Sequence, residues 1–438
     1  MTRRKADIGQ ARRALAALAL LNAFASYGAP AATVQALYAF DGPKDGDGAP
    51  WSELVRQADG RFAGTTLSGG RQKLGSIYTT NLLGATRTLH SFTYKEGNDL
   101  NGPLVAMPDG SLVGTAYSGG ATGSGTIFRV AADGTYTLLH TFEGDEGVNP
   151  GGGLLLASDG NFYGTATEGG DHGLGTVYRM TPEGVVTKLH DFGATDTDGE
   201  FPDGMLVETA DHGLVGVTFT GGKANGGIVF RIGFDGSYAT LADLGGPGRP
   251  ADPHEGLVDG GDGWLYGTSE GGGSAGQGGT VYRLRPDGSG LTVLHAFTGP
   301  DGSMPQGRLC RGANGLLYGT TPQGGANDDG GVFQVDAAGT FALLHSFDGL
   351  DGYQPRAGWQ EEAARRRAAW RRRLARRHLP CRIGVRHWPA ATRFPRPTTP
   401  PEIVRCRRQL CCRGPMPGRL SVRCWSYSRR HPRTCDGP

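Results

Sequence analysis

Cysteine is scarce in the first 358 residues of this 438-residue chain, where Cys310 is the single example. The other six cysteines lie between positions 381 and 435, and lysine is absent after residue 358. A region with one cysteine carries no disulfide framework, and this region is long enough to bury a hydrophobic core without one. Both scarcities therefore divide the chain near residue 358.

Long apolar runs are also lacking, apart from one of about twelve residues at positions 14–25. This run follows a basic segment and precedes the small residues 29–32, which is the layout of a secretory signal. It is too short to cross a bilayer well, since a spanning helix needs about 20 residues. We therefore predict a signal peptide at 1–32, cut after Ala31, Ala32 or Ala36, and a secreted, periplasmic or cell-surface protein without a further membrane span. The alternative is an amphipathic helix of a cytosolic protein.

Local catalytic motifs are missing as well. The sequence has no Gly-x-Ser-x-Gly elbow beside a strand-to-helix turn, no HExxH pair and no phosphate-binding loop. These absences argue against three common enzyme classes. They do not exclude a hydrolase that uses paired carboxylates from distant parts of the chain, because such a pair needs no local motif.

The chain does contain a repeat of about fifty residues. Leu-His-Ser-Phe or a variant begins at seven positions separated by 52, 50, 50, 52, 53 and 50 residues: Leu37, Leu89, Leu139, Leu189, Leu241, Leu294 and Leu344. About 26 residues after each of the first six comes a Gly-Thr step or, at Gly216, a Gly-Val step. A period of this length with several short strands is typical of a β-propeller.

One copy shows the expected unit. It reads as four strands, at 154–157, 162–166, 176–180 and 186–192, joined by turns rich in glycine and aspartate. The same reading predicts six complete blades near 53–92, 104–142, 154–192, 205–244, 257–297 and 309–347. We therefore predict an all-β propeller of four-stranded blades across residues 33–358, in which 37–40 is the last strand of a seventh blade that is otherwise lost. A β-helix and a glycine-rich disordered chain are the alternatives.

At this point a family resemblance is visible in three sequence runs of that copy. They are Gly-Thr-Val-Tyr-Arg-Met-Thr-Pro-Glu-Gly at 175–184, Leu-His-Asp-Phe at 189–192 and Asp-Gly-Asn-Phe-Tyr-Gly-Thr at 159–165. They resemble the bacterial GloVer-type (Gloeo/Verruco) tandem repeat, over about 37–358. The resemblance implies an exported propeller-like protein, and it implies no catalytic residues.

The seventh repeat stops abruptly after Gly358. Residues 33–358 hold 18 basic and 37 acidic residues, whereas residues 359–438 hold 21 arginines and four acids. Glycine codons that are read out of frame in GC-rich DNA give arginine and alanine, which crowd this tail. We therefore predict that 359–438 is frameshifted and disordered. The alternatives are an arginine-rich nucleic-acid-binding tail and a cysteine metal site, but no paired CxxC spacing is present.

Two sets of candidate site residues recur in the repeats. The first is a histidine after most of the leucine anchors, at His90, His140, His190, His295 and His345, and we predict that it serves the blade rather than chemistry. The second is an acidic loop after each anchor. Oxygen-rich loops suit Ca²⁺, so Asp45, Asp47, Asp196 and Asp198 are the weak calcium candidates, with solvated turns as the favoured interpretation.

No cofactor other than that calcium is expected, and no catalytic residue can be named. The sequence favours a non-enzymatic extracellular or cell-surface binding protein, with a glycan or cell-surface component as partner and nucleic acid disfavoured. The alternative is an extracellular enzyme that acts on polysaccharides. Carboxylates that converge at the propeller axis would favour the enzyme.

Overall fold

The computed structural model describes residues 50, 52–273, 278–350 and 352–356, together with the backbone of 403–406 and 409–412. The chain divides into two compact units, Met1–Arg376 and Arg377–Pro438. The first unit contains six four-stranded antiparallel sheets, each formed by one repeat, as the sequence predicts. Within the described residues there is no helix, and hence none that could cross a membrane.

The first three blades follow the repeat with little irregularity. Blade 1 has β1 (Val55–Arg56), β2 (Phe62–Thr66), β3 (Ser76–Thr80) and β4 (Arg87–Ser91). Blade 2 has β5 (Val105–Ala106), β6 (Leu112–Ala116), β7 (Thr126–Val130) and β8 (Tyr136–Thr141). Blade 3 has β9 (Leu154–Leu156), β10 (Phe162–Ala166), β11 (Thr176–Met180) and β12 (Val186–Asp191).

The next three blades include two additional small sheets. Blade 4 has β14 (Val207–Glu208), β15 (Leu214–Val217), β17 (Ile228–Ile232) and β18 (Tyr238–Asp243). Blade 5 has β20 (Val258–Asp259), β21 (Leu265–Ser269), β23 (Thr280–Leu284) and β24 (Thr292–Ala296). Blade 6 has β25 (Cys310–Arg311), β26 (Leu317–Thr321), β27 (Gly331–Val335) and β28 (Phe341–Ser346). The small sheets pair β13 (Gly199–Glu200) with β16 (Thr220–Gly221), and β19 (Pro250–Ala251) with β22 (Gly271–Gly272).

The antiparallel order fixes two faces of each blade. The second and fourth strands run in the same direction, so the loops that follow them emerge at one end of the blade, here called the loop face. The tight turns after the first and third strands emerge at the other end, here called the turn face. The first strands are innermost, because β1 contacts β5, β5 contacts β9 and β20 contacts β25.

The glycine of the Gly-Thr step has a packing role in all six blades, and the threonine, which is replaced by Val217 in blade 4, bonds to the next blade at Thr65, Thr165 and Thr268. A methyl group at Gly164 would lie 2.5 Å from the Tyr178 hydroxyl, because the aromatic ring of the third strand lies across the glycine. The threonine side chain bonds to the next blade, as where the Thr65 hydroxyl donates to the Leu100 carbonyl at 2.8 Å. Glycine makes room inside a blade, and threonine ties two blades together.

Five clusters of buried apolar residues join successive blades, from blades 1 and 2 to blades 5 and 6. Among the described residues, no such cluster joins blade 6 to blade 1. Phe347 follows β28 and is half-buried, whereas Phe192, at the same repeat position in blade 3, is fully buried. The facing side of blade 1 is also slightly open at Tyr78. Among the described residues, the junction of blades 6 and 1, here called the open junction, is therefore less covered than the other five, at the place where the sequence predicts a lost seventh blade.

The second unit contains one described hairpin, β29 (Ile403–Cys406) paired with β30 (Gln409–Cys412). The predicted signal peptide, the strand at 37–40 and the rest of the tail from 357 lie outside the described residues. The predictions of a cleaved leader, of a frameshift and of a disordered tail therefore stay predictions.

Candidate functional site on the loop face

Two residues face each other at each of four junctions between blades on the loop face. The first lies three residues before the leucine at the start of a blade's first strand. The second lies three residues after the glycine of the Gly-Thr step in the preceding blade. At the later junctions these pairs are Thr167 with Asp203, Phe219 with His254, and Glu270 with Gln306. The earlier junction of blades 2 and 3 has Tyr117 with Gly151. We call these eight the junction residues.

The backbone holds the junction residues by a repeated device. A residue in the left-handed region precedes blades 2 to 5, and its carbonyl accepts a hydrogen bond from an amide just after the second strand of the same blade. Phe201 (φ 56°) accepts from the Phe219 amide at 3.0 Å, and Asp252 (φ 56°) accepts from the Glu270 amide at 3.0 Å. Because the left-handed region is unfavourable for side chains other than Gly, Asn and Asp, Phe201 is a strained position.

The polar junction residues form a connected group across three neighbouring junctions. His254 Nδ1 lies 3.0 Å from Asp203 Oδ2, and His254 Nε2 lies 3.9 Å from Glu270 Oε1. The same Glu270 oxygen accepts a 2.6 Å hydrogen bond from Gln306 Nε2. The side chains of His254, Asp203 and Glu270 are 34%, 24% and 14% exposed, so the group is reached from the loop face while protein surrounds most of it.

Two aromatic rings flank the polar group. Phe219 lies edge-on to His254, with ring centroids 5.6 Å apart. Tyr117 lies near Asp203, since a methyl group placed on Gly151 would be 3.4 Å from the Tyr117 ring and 2.6 Å from Asp203 Oδ1. Both rings are half-buried. The glycine at 151 leaves open the space between tyrosine and carboxylate.

Three further charged residues lie one or two positions closer to the inner strands. They are Glu53, Glu255 and Arg308. Burial, followed by the charges of Asp203 and Glu53, holds the pKa of Glu255 well above its usual range, and Arg308 opposes this. Burial also raises the pKa of Glu53 against Arg308, and that of Asp203 against His254. Crowded carboxyls in a partly dry site favour their protonated forms, and such clusters are common at functional sites.

The recurring histidines have a different environment. His140 bonds to Glu146, and His295 Nε2 lies 2.8 Å from Asp301, in the loop that follows each histidine. His295 also stacks on Phe341 of the next blade, with centroids 3.7 Å apart. The repeated histidine therefore packs one blade on the next, in agreement with the structural role that the sequence predicts.

The calcium candidates are not brought together in the described part of the chain. Asp198 already accepts hydrogen bonds from its neighbours. The Tyr238 hydroxyl donates to it at 2.7 Å and the Gly199 amide at 2.9 Å. Burial alone would raise its pKa, but hydrogen bonds from His190, Tyr238 and Gly199 lower it overall. Asp196 is exposed, and the described residues contain no group of three metal-ligating side chains in metal-binding geometry. Asp45 and Asp47 lie outside the described residues, so calcium at that loop stays a prediction.

The junction residues were not predicted from the sequence. Asp203, His254, Glu270 and Gln306 are spread over about a hundred residues and match no local motif. Their signal is a break in the repeat, since aligned positions in other blades hold Asn101, Gly151 or Pro322. Asp203, Glu255 and Glu270 nevertheless converge from two blades, and convergence of carboxylates is the feature expected of the enzyme alternative.

Comparisons with known proteins agree with this fold. The profile of the Gloeobacter/Verrucomicrobia repeat matches residues 24–157 and 153–366. No curated protein matches the sequence. A streptogramin B lyase structure is similar over 72% of this chain and 88% of its own, at 15% identity and a TM-score of 0.51. A virginiamycin B lyase from Staphylococcus aureus is similar over 72% and 89%, at 14% identity and 0.50. At these identities the likeness shows the propeller fold alone.

Proposed function

We propose that this chain, which belongs to the Gloeobacter/Verrucomicrobia repeat family, is an exported protein that binds a neutral glycan on the loop face of its propeller. The observation that supports this is the convergence of the junction residues, which break the symmetry of an otherwise uniform scaffold. Residues that repeat in every blade serve the blade, so residues that differ at one place are the ones available for a ligand.

The chemistry of the site favours a sugar. Asp203, Glu270 and Gln306 offer hydrogen-bond acceptors and donors, and Tyr117 and Phe219 offer apolar ring surfaces on either side. Ligand sites typically combine aromatic walls with a few placed polar groups. Sugar rings present hydroxyls at their edges and C–H bonds on their faces, which match this arrangement. The crowded carboxyls disfavour phosphate, sulfate and other anions.

Binding is tested with a glycan microarray, followed by calorimetry on the glycans that bind. Tyr117→Ala and Phe219→Ala should each weaken binding about 5- to 150-fold, if each ring supplies about 1–3 kcal/mol of contact. Gly151→Ala should also weaken it, because the new methyl group displaces the Asp203 carboxylate. Leu138→Ala, at an exposed position on β8, is the control and should bind normally.

The proposal fails if no neutral glycan binds, or if the aromatic variants bind as well as the parent chain. Export has its own test, which is the mass of the mature N-terminus after expression in a bacterium with a Sec system. A start at residue 32, 33 or 37 supports export, and an intact N-terminus recovered from the cytoplasm contradicts it.

A further inference from the structure

We propose that the loop-face site also hydrolyses the glycan it binds, with a water molecule held between His254 and Glu270 as the nucleophile. This inference rests on the proposed function, because it assigns a reaction to the same site. It takes up the polysaccharide-acting alternative, and it is supported by the arrangement of three side chains from two neighbouring blades, Asp203 of blade 4 and His254 and Glu270 of blade 5.

His254 is placed as a general base. It is not one of the repeated histidines, and it occupies a position where neighbouring blades hold Asp203 and Gln306. Asp203, from the preceding blade, lies 3.0 Å from Nδ1 and can accept its hydrogen, which leaves Nε2 with a lone pair. An aspartate in this position orients the ring and stabilises the imidazolium that forms when Nε2 takes a proton.

Glu270 lies where its carboxylate and His254 can both accept a hydrogen bond from the same water molecule. His254 Nε2 and Glu270 Oε1 are 3.9 Å apart, which is too long for a hydrogen bond. Two atoms at that separation leave a position about 2.8 Å from both, the length of a normal hydrogen bond. A water there donates one hydrogen to each and directs an oxygen lone pair outward. The Gln306 amide fixes Glu270 at 2.6 Å, so the acceptor is held in place.

The reaction is a single displacement at the anomeric carbon. The water oxygen forms a bond to that carbon while the glycosidic C–O bond breaks, and its electron pair stays on the leaving oxygen. The water proton passes to His254 Nε2. The leaving oxygen takes a proton from the carboxyl of Glu255, which is the next residue to His254 in the chain and lies near Asp203 and Glu53, whose charges with burial favour its protonated form. Atoms and charge balance, and no oxidant or further reactant is required.

Asp203 is a positioning residue in this scheme. The charged or titratable groups around His254 are Asp203, Glu255 and Glu270, with Glu53 and Arg308 beside Glu255. Ionised Asp203 stabilises the imidazolium, because the effect of burial, which raises the pKa of Asp203, is opposed there by the charge of His254; a neutral residue at 203 makes the imidazolium less stable. Asp203→Asn should therefore slow hydrolysis and move the acidic limb of the pH–rate profile to lower pH. A purely structural role would lower the rate without moving that limb.

The experiment uses the full chain and a panel of neutral xylo-, cello-, manno- and galacto-oligosaccharides of four to six units. Products are followed by mass spectrometry in water enriched in oxygen-18. The parent chain should release shorter sugars that carry one heavy oxygen at the new reducing end. His254→Gln should lower the rate about 10²–10⁴-fold, the usual contribution of a general base, while calorimetric affinity changes less than about threefold.

His212→Gln is the matched control, because His212 is exposed on the turn face, and its rate should equal that of the parent chain. Equal unfolding midpoints of the two histidine variants show that both are folded. Oligosaccharides that bind but are never cleaved overturn this inference and leave the proposed function standing. Cleavage that survives His254→Gln also overturns it. The panel also includes any neutral glycan that binds on the microarray, so if none binds, the proposed function fails and this inference fails with it.

Discussion

Two single variants, each replacing a phenylalanine at the same repeat position of a different blade, compare the stability of a covered junction with that of the open junction. Phe192 lies between blades 3 and 4, where its ring is 5.1 Å from Phe230 and 6.0 Å from Tyr238 of the next blade. Phe347 holds the same position after blade 6, and the described structure gives its ring one aromatic neighbour, His345, from its own blade. The two positions differ chiefly in whether a following blade covers them.

The expected losses of unfolding free energy follow from how deeply each phenylalanine ring is buried. Replacing a fully buried phenylalanine by alanine costs about 3–5 kcal/mol, because transfer from water and the cavity both count. Phe192→Ala should therefore destabilise the chain by about 3–5 kcal/mol. Phe347 is half-buried and leaves little cavity, so Phe347→Ala should cost about 1–2 kcal/mol, near the transfer value for part of a side chain.

The assay is equilibrium unfolding in urea, followed by both fluorescence and far-UV circular dichroism. Coincident curves from the two probes are required, since an array of repeats need not unfold in one step. Phe142→Ala is the second reference, because Phe142 is fully buried between blades 2 and 3. If Phe347→Ala is as destabilising as the other two, another part of the chain covers blade 6, and the open junction is wrong.

Three further outcomes are expected. Gly164→Ala should lower the free energy of unfolding by about 1–3 kcal/mol, because the new methyl group clashes with Tyr178. Gly160→Ala has open space around it but a φ of 84°, so it should lower the free energy of unfolding by about 1 kcal/mol. Equal unfolding free energies of the two variants would contradict the packing role of Gly164. Hydrogen bonds from Thr209 and Arg231 lower the pKa of Asp211 to about 2, so this carboxylate stabilises the fold above its unfolded pKa near 4 and loses that effect as the pH falls to about 2. Asp211→Asn should remove up to about 1 kcal/mol of unfolding free energy at pH 7 and less at pH 2, the small size reflecting an exposed pair; a loss that does not depend on pH would contradict this. A one-base shift near codon 358 of the gene should open a frame that encodes the missing strands, and the chain with that blade restored should need more urea to unfold; stop codons in both other frames would show that the tail is genuine.

Sequence could predict the scaffold because every blade repeats the same local chemistry. The Asp-Gly turns and aromatic strands placed the blade ends within two residues of those observed, as for blade 3, predicted at 154–192 and observed at 154–191. The small sheets at β13–β16 and β19–β22 were missed, since their paired residues are glycine-rich and carry no alternating pattern.

The candidate site was not predicted because it depends on how blades meet. Asp203 and His254 are adjacent only because two blades pack in register, and Glu270 reaches them from the end of β21. Composition and local motifs do not contain that information. An alignment of the six repeats does, since the polar residues at the junctions occupy positions where other blades carry unrelated side chains.

The most direct test of the central claim is a crystal structure of the chain with the glycan that binds best on the array. We predict a sugar ring on the loop face between Tyr117 and Phe219, with its hydroxyls bonded to Asp203, Glu270 or Gln306. A glycan bound instead on the turn face, near Ser158 and His212, would contradict the assignment of the junction residues as the binding site.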